Sequence, residues 1–269
     1  MEAETSRQAQ ERERKRPQRQ RNPEHAHAFQ TLVLKGDPAP LNDFSAWAQD
    51  CDNGLVYFYG GVPCSLRDGD CTADLFSLNL ASMEWQRLTD RLQFSDAYDP
   101  FSELRQERKL PALLHAACTF VTLNKRHFLM LFGGYDQATS ETSSSLIAVD
   151  VDRLSWWWVR PQGVPVISRF SPTMVAIKNR LYIFGGLQND VVLKSYSIIE
   201  YADGAWQWIE RDRHACYPDG SELPSEPFAL TASAVALYDG KQVLLTPGRK
   251  DVSFYFSELF QRKYPPVQL

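Results

Sequence analysis

The chain is sparing with the residues that chemistry most often recruits. Its 269 residues include five histidines, at 25, 27, 115, 127 and 214, and five cysteines, at 51, 64, 71, 118 and 216. No two cysteines form a C-x-x-C pair, and no histidine spacing predicts convergence on a metal. No apolar run approaches the roughly 20 residues that a membrane-spanning helix needs. Phosphate-binding glycine loops, dinucleotide fingerprints and the G-x-S-x-G elbow are all missing. An odd cysteine number without a secretory signal leads us to expect reduced thiols in the cytoplasm or nucleus; in a secreted chain Cys64 and Cys71 would be placed to bridge one loop. Asp68, Asp70 and Asp74 in RDGDCTAD have the look of an oxygen-rich cation loop, but the glycine and glutamate that complete a calcium hand are lacking. A polar loop is therefore the expected reading, with no cofactor and no metal.

Charge divides the chain in two. Residues 1–28 hold seven of the 29 basic and five of the 33 acidic residues and almost no large apolar side chain, so the expectation is a disordered tail followed by one folded domain over 29–269. The run RERKRPQRQR at 12–21 would suit nuclear import or contact with nucleic acid, although the interspersed glutamates favour a solvated mixed-charge tail. Beyond the tail the net charge is −6, which argues against a surface built for phosphate backbones.

What the chain does have is repetition. LVYFYGG ends at Gly60 and Gly61, FLMLFGG at Gly133 and Gly134, and LYIFGG at Gly185 and Gly186. A second apolar run follows each and leads to Trp85, Trp156 or Trp206. Leu75, Leu146 and Tyr196 each stand ten residues before their tryptophan; Asn79, Asp150 and Glu200 share one position, and Leu88, Val159 and Ile209 share another. Short apolar runs bounded by turn formers read as strands buried on both faces. The glycines permit positive φ and close backbone approach, the acidic or amide residue suits a turn, and the tryptophan supplies contact between sheets. A period of this kind, built from four short strands, is the signature of a propeller blade.

Residues 54–88, 127–159 and 180–209 resemble the kelch repeat, in which an apolar strand ends in Gly-Gly and a spaced tryptophan lies on the outermost strand. His115, ahead of the strand ACTFVTL, falls near a position where kelch blades often carry histidine, and the third repeat has Ser171-Pro172 there. The resemblance implies an all-β, kelch-like propeller with about four recognisable four-stranded blades. It also brings an enzyme into consideration, because copper-radical oxidases share the fold, but their cysteine–tyrosine and two-histidine set has no counterpart in these spacings. His115, Cys118 and Cys216 are expected in core or loop positions.

Both ends carry partial repeats. Phe29 and Leu32 mimic the tryptophan and its third neighbour, and KGDPAP at 35–40 matches PQGVP at 161–165. FALTASAVALYDG, KQVLLTPG and VSFYFSELF supply three further strand-like runs with Pro247-Gly248 in place of the glycine pair. These features predict a fourth blade closed by residues 29–34 pairing near 252–260, or an incomplete propeller that self-associates. The first glycine pairs lie 73 residues apart and the next 52, so about twenty residues are inserted around 91–111, where Asp99-Pro100 would start a short helix.

Function is expected on the loops. The reading is a non-catalytic protein-interaction scaffold that binds through rim loops 62–73, 91–112, 135–144 and 187–194, with a central-cavity oxidase or hydrolase, or an inactive partial family member, as alternatives. Candidate contact residues are Arg67, Asp68, Asp70, Tyr98, Phe101, Tyr135, Trp157 and Gln188. In the run Trp156-Trp157-Trp158, strand alternation puts 156 and 158 on one side and 157 on the other, so Trp157 is the one expected to face a partner.

Overall fold

The computed structural model describes residues 33–37, 42–63, 70–95, 108–189, 191–193 and 195–214, together with the backbone strands Ala234–Tyr238, Gln242–Thr246 and Phe254–Tyr255. The expected tail and the expected helix after Asp99 lie outside the described residues, and the blades all belong to the unit Leu34–Leu269.

Each repeat is one four-stranded antiparallel sheet whose strands pair in chain order, as the short apolar runs predict. The first blade is Ala46–Asp50, Leu55–Tyr59, Leu75–Asn79 and Glu84–Arg87; the second is Ala117–Leu123, Arg126–Phe132, Leu146–Asp150 and Ser155–Val159. The third is Thr173–Ile177, Arg180–Phe184, Ser195–Ala202 and Ala205–His214. The three tryptophans of the repeat stand on the outermost of these strands. The three runs near the C-terminus form a three-stranded sheet, Ala234–Tyr238, Gln242–Thr246 and Phe254–Tyr255.

Blades pack face to face. One core holds Ala46, Tyr57, Tyr59, Leu75 and Leu88 of the first blade against Leu129, Leu131, Ile147, Val149 and Trp156 of the second. The opposite face of the second blade, with Phe128, Met130, Phe132, Ala148 and Trp157, packs on Met174, Leu181, Ile183, Ile199 and Trp206 of the third. Burial on both sides explains why the middle strands are near-continuous hydrophobic runs and not alternating ones: all five residues of Leu146–Asp150 are buried.

The shared polar position after the third strand behaves as a turn cap in two blades. Asn79 Oδ1 accepts the N–H groups of Ala81 and Ser82, and Asp150 Oδ1 accepts those of Asp152 and Arg153. Asp150 is fully buried and is also paired with Arg126. In the third blade Glu200 instead accepts from Arg180 Nε at 2.7 Å.

KGDPAP and PQGVP, alike in sequence, each contain residues that pair in parallel with the outer strand of a blade. Lys35–Gly36 runs parallel to Glu84 and Trp85, Gln93–Phe94 runs parallel to Ser155 and Trp156, and Gln162 bridges Gln207 in parallel. The chain thus passes along the outer strand of each blade before entering its innermost strand. The N-terminal segment adds a fifth strand to the first blade, and Phe254–Tyr255 pairs with Gln242–Thr246; residues 29–32 and 256–260 lie outside the described residues.

Candidate functional site

The glycine pairs build one face of the propeller. In antiparallel blades the links from second to third strand and from outer strand to next inner strand emerge on the same side. There Gly61 donates its N–H to Leu113 of the next blade at 3.4 Å, and Gly134 donates to Arg169 at 2.9 Å. A Cβ on Gly60 would meet the Leu113 carbonyl at 2.6 Å, and one on Gly133 would meet the Arg169 carbonyl at 2.5 Å, both at positive φ. Side chains of any kind are excluded where two blades' backbones touch, which is the physical content of the repeated Gly-Gly.

Loops on this face follow a common plan. Val62–Pro63 pairs with Asn42–Asp43; Tyr135–Asp136 pairs with both Leu113–Leu114 and Glu141–Thr142; Leu187–Gln188 pairs with Val191–Val192, and Leu187 bridges Phe170. Each blade therefore stitches the segment ahead of its inner strand to the loop after its glycine pair.

Between the second and third blades these loops enclose an open cavity of about 620 Å³, lined by Leu114, His115, Tyr135, Ser140, Glu141 and Thr142 together with Ser168, Phe170 and Asn189. Aromatic rings form a strip through it: His115 lies 4.3 Å from Phe44 and 5.9 Å from Phe170, which lies 6.3 Å from Tyr135, centroid to centroid. Burial holds the His115 imidazole below its ordinary titration range, so the ring is neutral at pH 7. Glu141 is exposed at the mouth and stands directly across the hairpin from Asp136. Asp136 caps its turn through Ala138 and Thr139.

Phe44, His115 and Ser171 occupy one position in successive blades, two residues ahead of the inner strand, and all three adopt left-handed backbone conformations. Their amides link blade to blade, His115 N–H to Phe44 at 3.0 Å and Ser171 N–H to His115 at 2.8 Å. The Ser171 hydroxyl is buried without a hydrogen-bond partner among the described residues.

Two residues earlier, Arg169 anchors the third blade's side of the cavity wall. It is fully buried and paired with Asp212, and it donates to the carbonyls of Ile167 at 3.1 Å and Gly185 at 3.0 Å. Asn42, its counterpart in the first blade, likewise donates to Gly60 at 2.7 Å. Leu113, the counterpart in the second, is buried among apolar side chains.

Two of the thiols, Cys71 and Cys118, are poor nucleophiles. Cys51, Cys71 and Cys118 are free; burial pushes Cys71 up to about 11 and Cys118 higher still, so both stay protonated at neutral pH. Cys64 and Cys216 lie outside the described residues, as do Arg67, Asp68, Tyr98 and Phe101.

Of the other predicted contact residues, Tyr135 lines the cavity and Gln188 donates to Ser168 on its wall at 3.3 Å. Asp70 is exposed beside Cys71, whose N–H binds the Gln137 side chain of the adjacent hairpin. Trp157 corrects the expectation. It is only 9% exposed and meets Phe128 edge-on at 5.9 Å. The strand alternates as expected, but the third blade covers the face to which Trp157 points, so both faces of that strand are interior. Phe44, Glu141, Arg169 and Phe170 do not stand out in the sequence. The available signal was their fixed offset from the inner strand or from the glycine pair, since residue identity at these positions changes from blade to blade.

No family model matches the chain. It is 23% identical over 218 residues to the Rab9 effector protein with kelch motifs of Rattus norvegicus, covering 78% of this chain and 51% of that protein. Over 156 residues it is 24% identical to acyl-CoA-binding domain-containing protein 4 of Arabidopsis thaliana, covering 58% of this chain and 21% of the plant protein. Among solved structures, that of YjhT superposes with a TM-score of 0.52 at 11% identity, over 76% of this chain and 58% of its own. The chain thus spans about half the length of its rat relative and less of the plant one. No helix among the described residues is long and apolar enough to cross a membrane. With three complete blades among the described residues and their stitched glycine pairs, the chain has a kelch-like β-propeller fold.

Proposed function

We propose that the chain is a non-enzymatic member of the kelch repeat family that binds a protein partner on the face carrying the glycine-pair loops. The observation that carries this reading is the cavity between the second and third blades, walled by hairpins of differing length and sequence on blades of the same four-strand order. Rigid blades that present variable loops are a common way to build a binding surface. The imidazole in the cavity supports binding over catalysis: His115 touches the rings of Phe44 and Phe170, and no carboxylate or hydroxyl orients it among the described residues, as a general base would require.

The test compares two loop replacements in the full chain. Changing residues 137–140 to Gly and Ser alters the cavity face; changing residues 80–83, between the third and outer strands of the first blade, alters the opposite face. Quantitative mass spectrometry of co-purified proteins is expected to show partners lost only with the first. Partners retained by both variants, or stoichiometric copper, iron or zinc in the purified chain, would overturn the reading.

A further inference from the structure

We infer that the cavity between the second and third blades accepts a basic side chain, arginine or lysine, from an extended segment of the partner. The inference rests on the cavity face being the binding face, and it adds the chemistry of what enters. Three observations point the same way. First, the ring strip of Tyr135, Phe170 and His115 lines the wall, with Phe44 against His115; such π faces attract a guanidinium or ammonium group and more strongly once water is removed.

Second, among the described residues the one formally charged side chain in the lining is Glu141. It sits directly opposite Asp136 across a two-residue pairing, an arrangement of like charges that disfavours the hairpin in the absence of a cation. Neither carboxylate is in an ion pair among the described residues, whereas Arg87, Arg126, Arg169, Arg180 and Arg213 all have carboxylate partners. Buried Arg169 is committed to Asp212 and to two carbonyls, so among the described residues the wall holds no cation of its own to neutralise Glu141. An acidic segment would meet repulsion at Glu141, with only neutral hydroxyl and amide donors to offset it.

Third, the lining includes hydrogen-bonding groups that suit a peptide backbone or a guanidinium edge: Ser140 and Thr142 on one hairpin, Ser168 ahead of the third blade, and Asn189 on that blade's hairpin. Thr142 and Ser168 are 3.1 Å apart, which ties the two sides together. The buried, unpartnered Ser171 hydroxyl lies in the residue bonded to His115.

The experiment uses the full chain and three fluorescein-labelled twelve-residue Gly/Ser peptides that carry two arginines, two glutamates or two leucines, read by anisotropy at fixed ionic strength. The arginine peptide is expected to bind at least about tenfold more tightly than the glutamate peptide, with affinity falling as salt rises. Glu141→Gln should weaken the arginine peptide about fivefold, Glu141→Lys should abolish its binding, and Phe170→Leu should weaken it about fivefold at unchanged salt dependence. Glu141 is exposed, so its variants are expected to keep the wild-type circular dichroism spectrum and unfolding midpoint. Equal affinity of Glu141→Lys and wild type for the arginine peptide would overturn the inference, as would preference for the glutamate or leucine peptide. If no peptide binds while replacement of residues 137–140 still strips partners from the chain, the binding face stands and the basic-side-chain inference falls.

Discussion

The backbone N–H of His115 donates to the carbonyl of Phe44 at 3.0 Å across a blade boundary, and both residues hold φ near +60°. The left-handed conformation at this position goes with its place in the blade and not with residue type, since phenylalanine, histidine and serine all adopt it. A β-branched residue tolerates it worst. His115→Val is therefore expected to cost about 1–2 kcal/mol, measured by urea unfolding, while His115→Asn should cost less. Equal loss in the two variants would show that side-chain contact, not backbone strain, sets the cost.

The same histidine predicts a pH dependence. Burial lowers its pKa in the folded chain below the ordinary 6.5, so the unfolded chain binds a proton more readily. Stability from this group is complete above pH 6.5 and is lost as pH falls through the folded value. Chemical denaturation at pH 7.5 and 5.5 should show a smaller decline for His115→Asn than for wild type; an identical decline would place the titrating group elsewhere.

Glycine substitutions separate conformation from crowding. Gly54 and Gly60 have similar positive φ, 63° and 70°, but a Cβ has open space at Gly54 and meets Leu113 O at 2.6 Å at Gly60. Gly54→Ala should cost about 1 kcal/mol for backbone conformation alone. Gly60→Ala is expected to lower the thermal midpoint at least twice as far. Comparable shifts would mean that the blades part easily at this contact.

Trp157 and Trp47 provide an internal contrast, at 9% and 62% exposure. Trp157→Ala should destabilise by about 3–5 kcal/mol, as loss of a large core side chain does, and Trp47→Ala by under about 1 kcal/mol. A near-neutral Trp157→Ala would return that side chain to the surface.

The pair of buried Arg169 and partly buried Asp212 links the cavity wall to the third blade's outer strand. Asp212→Ala leaves a guanidinium uncompensated in the interior and should cost about 3–5 kcal/mol. Arg169→Met with Asp212→Leu is expected to recover part of that loss in equilibrium unfolding. No recovery would assign the cost to the lost backbone bonds at Ile167 and Gly185.

Strand identity, blade register and the role of the glycine pairs were legible in the chain because they depend on local rules. Burial on two faces demands unbroken apolar runs, so Leu55–Tyr59 and Arg180–Phe184 stand out from their surroundings. A contact between two backbones demands glycine, and a repeated contact repeats it. The tryptophans reached the outer strands for the same reason, their distance from the pair being set by strand and turn lengths. The cavity left no such trace. Glu141, Phe170 and Asn189 come from three separate loops, and nothing in their local sequence requires them to meet.

The sequence by itself determined the repeating unit: where each strand runs, which side of it each residue takes, and where no side chain is allowed. Only the tertiary structure decided what each side faces. Trp157 lies on the side that alternation assigned, yet the third blade converts that side from surface to core, and Lys35–Gly36 runs along the first blade's outer strand, a neighbour that nothing in its local sequence names. Strand periodicity is a property of the backbone, whereas burial and encounter depend on which element the chain brings alongside.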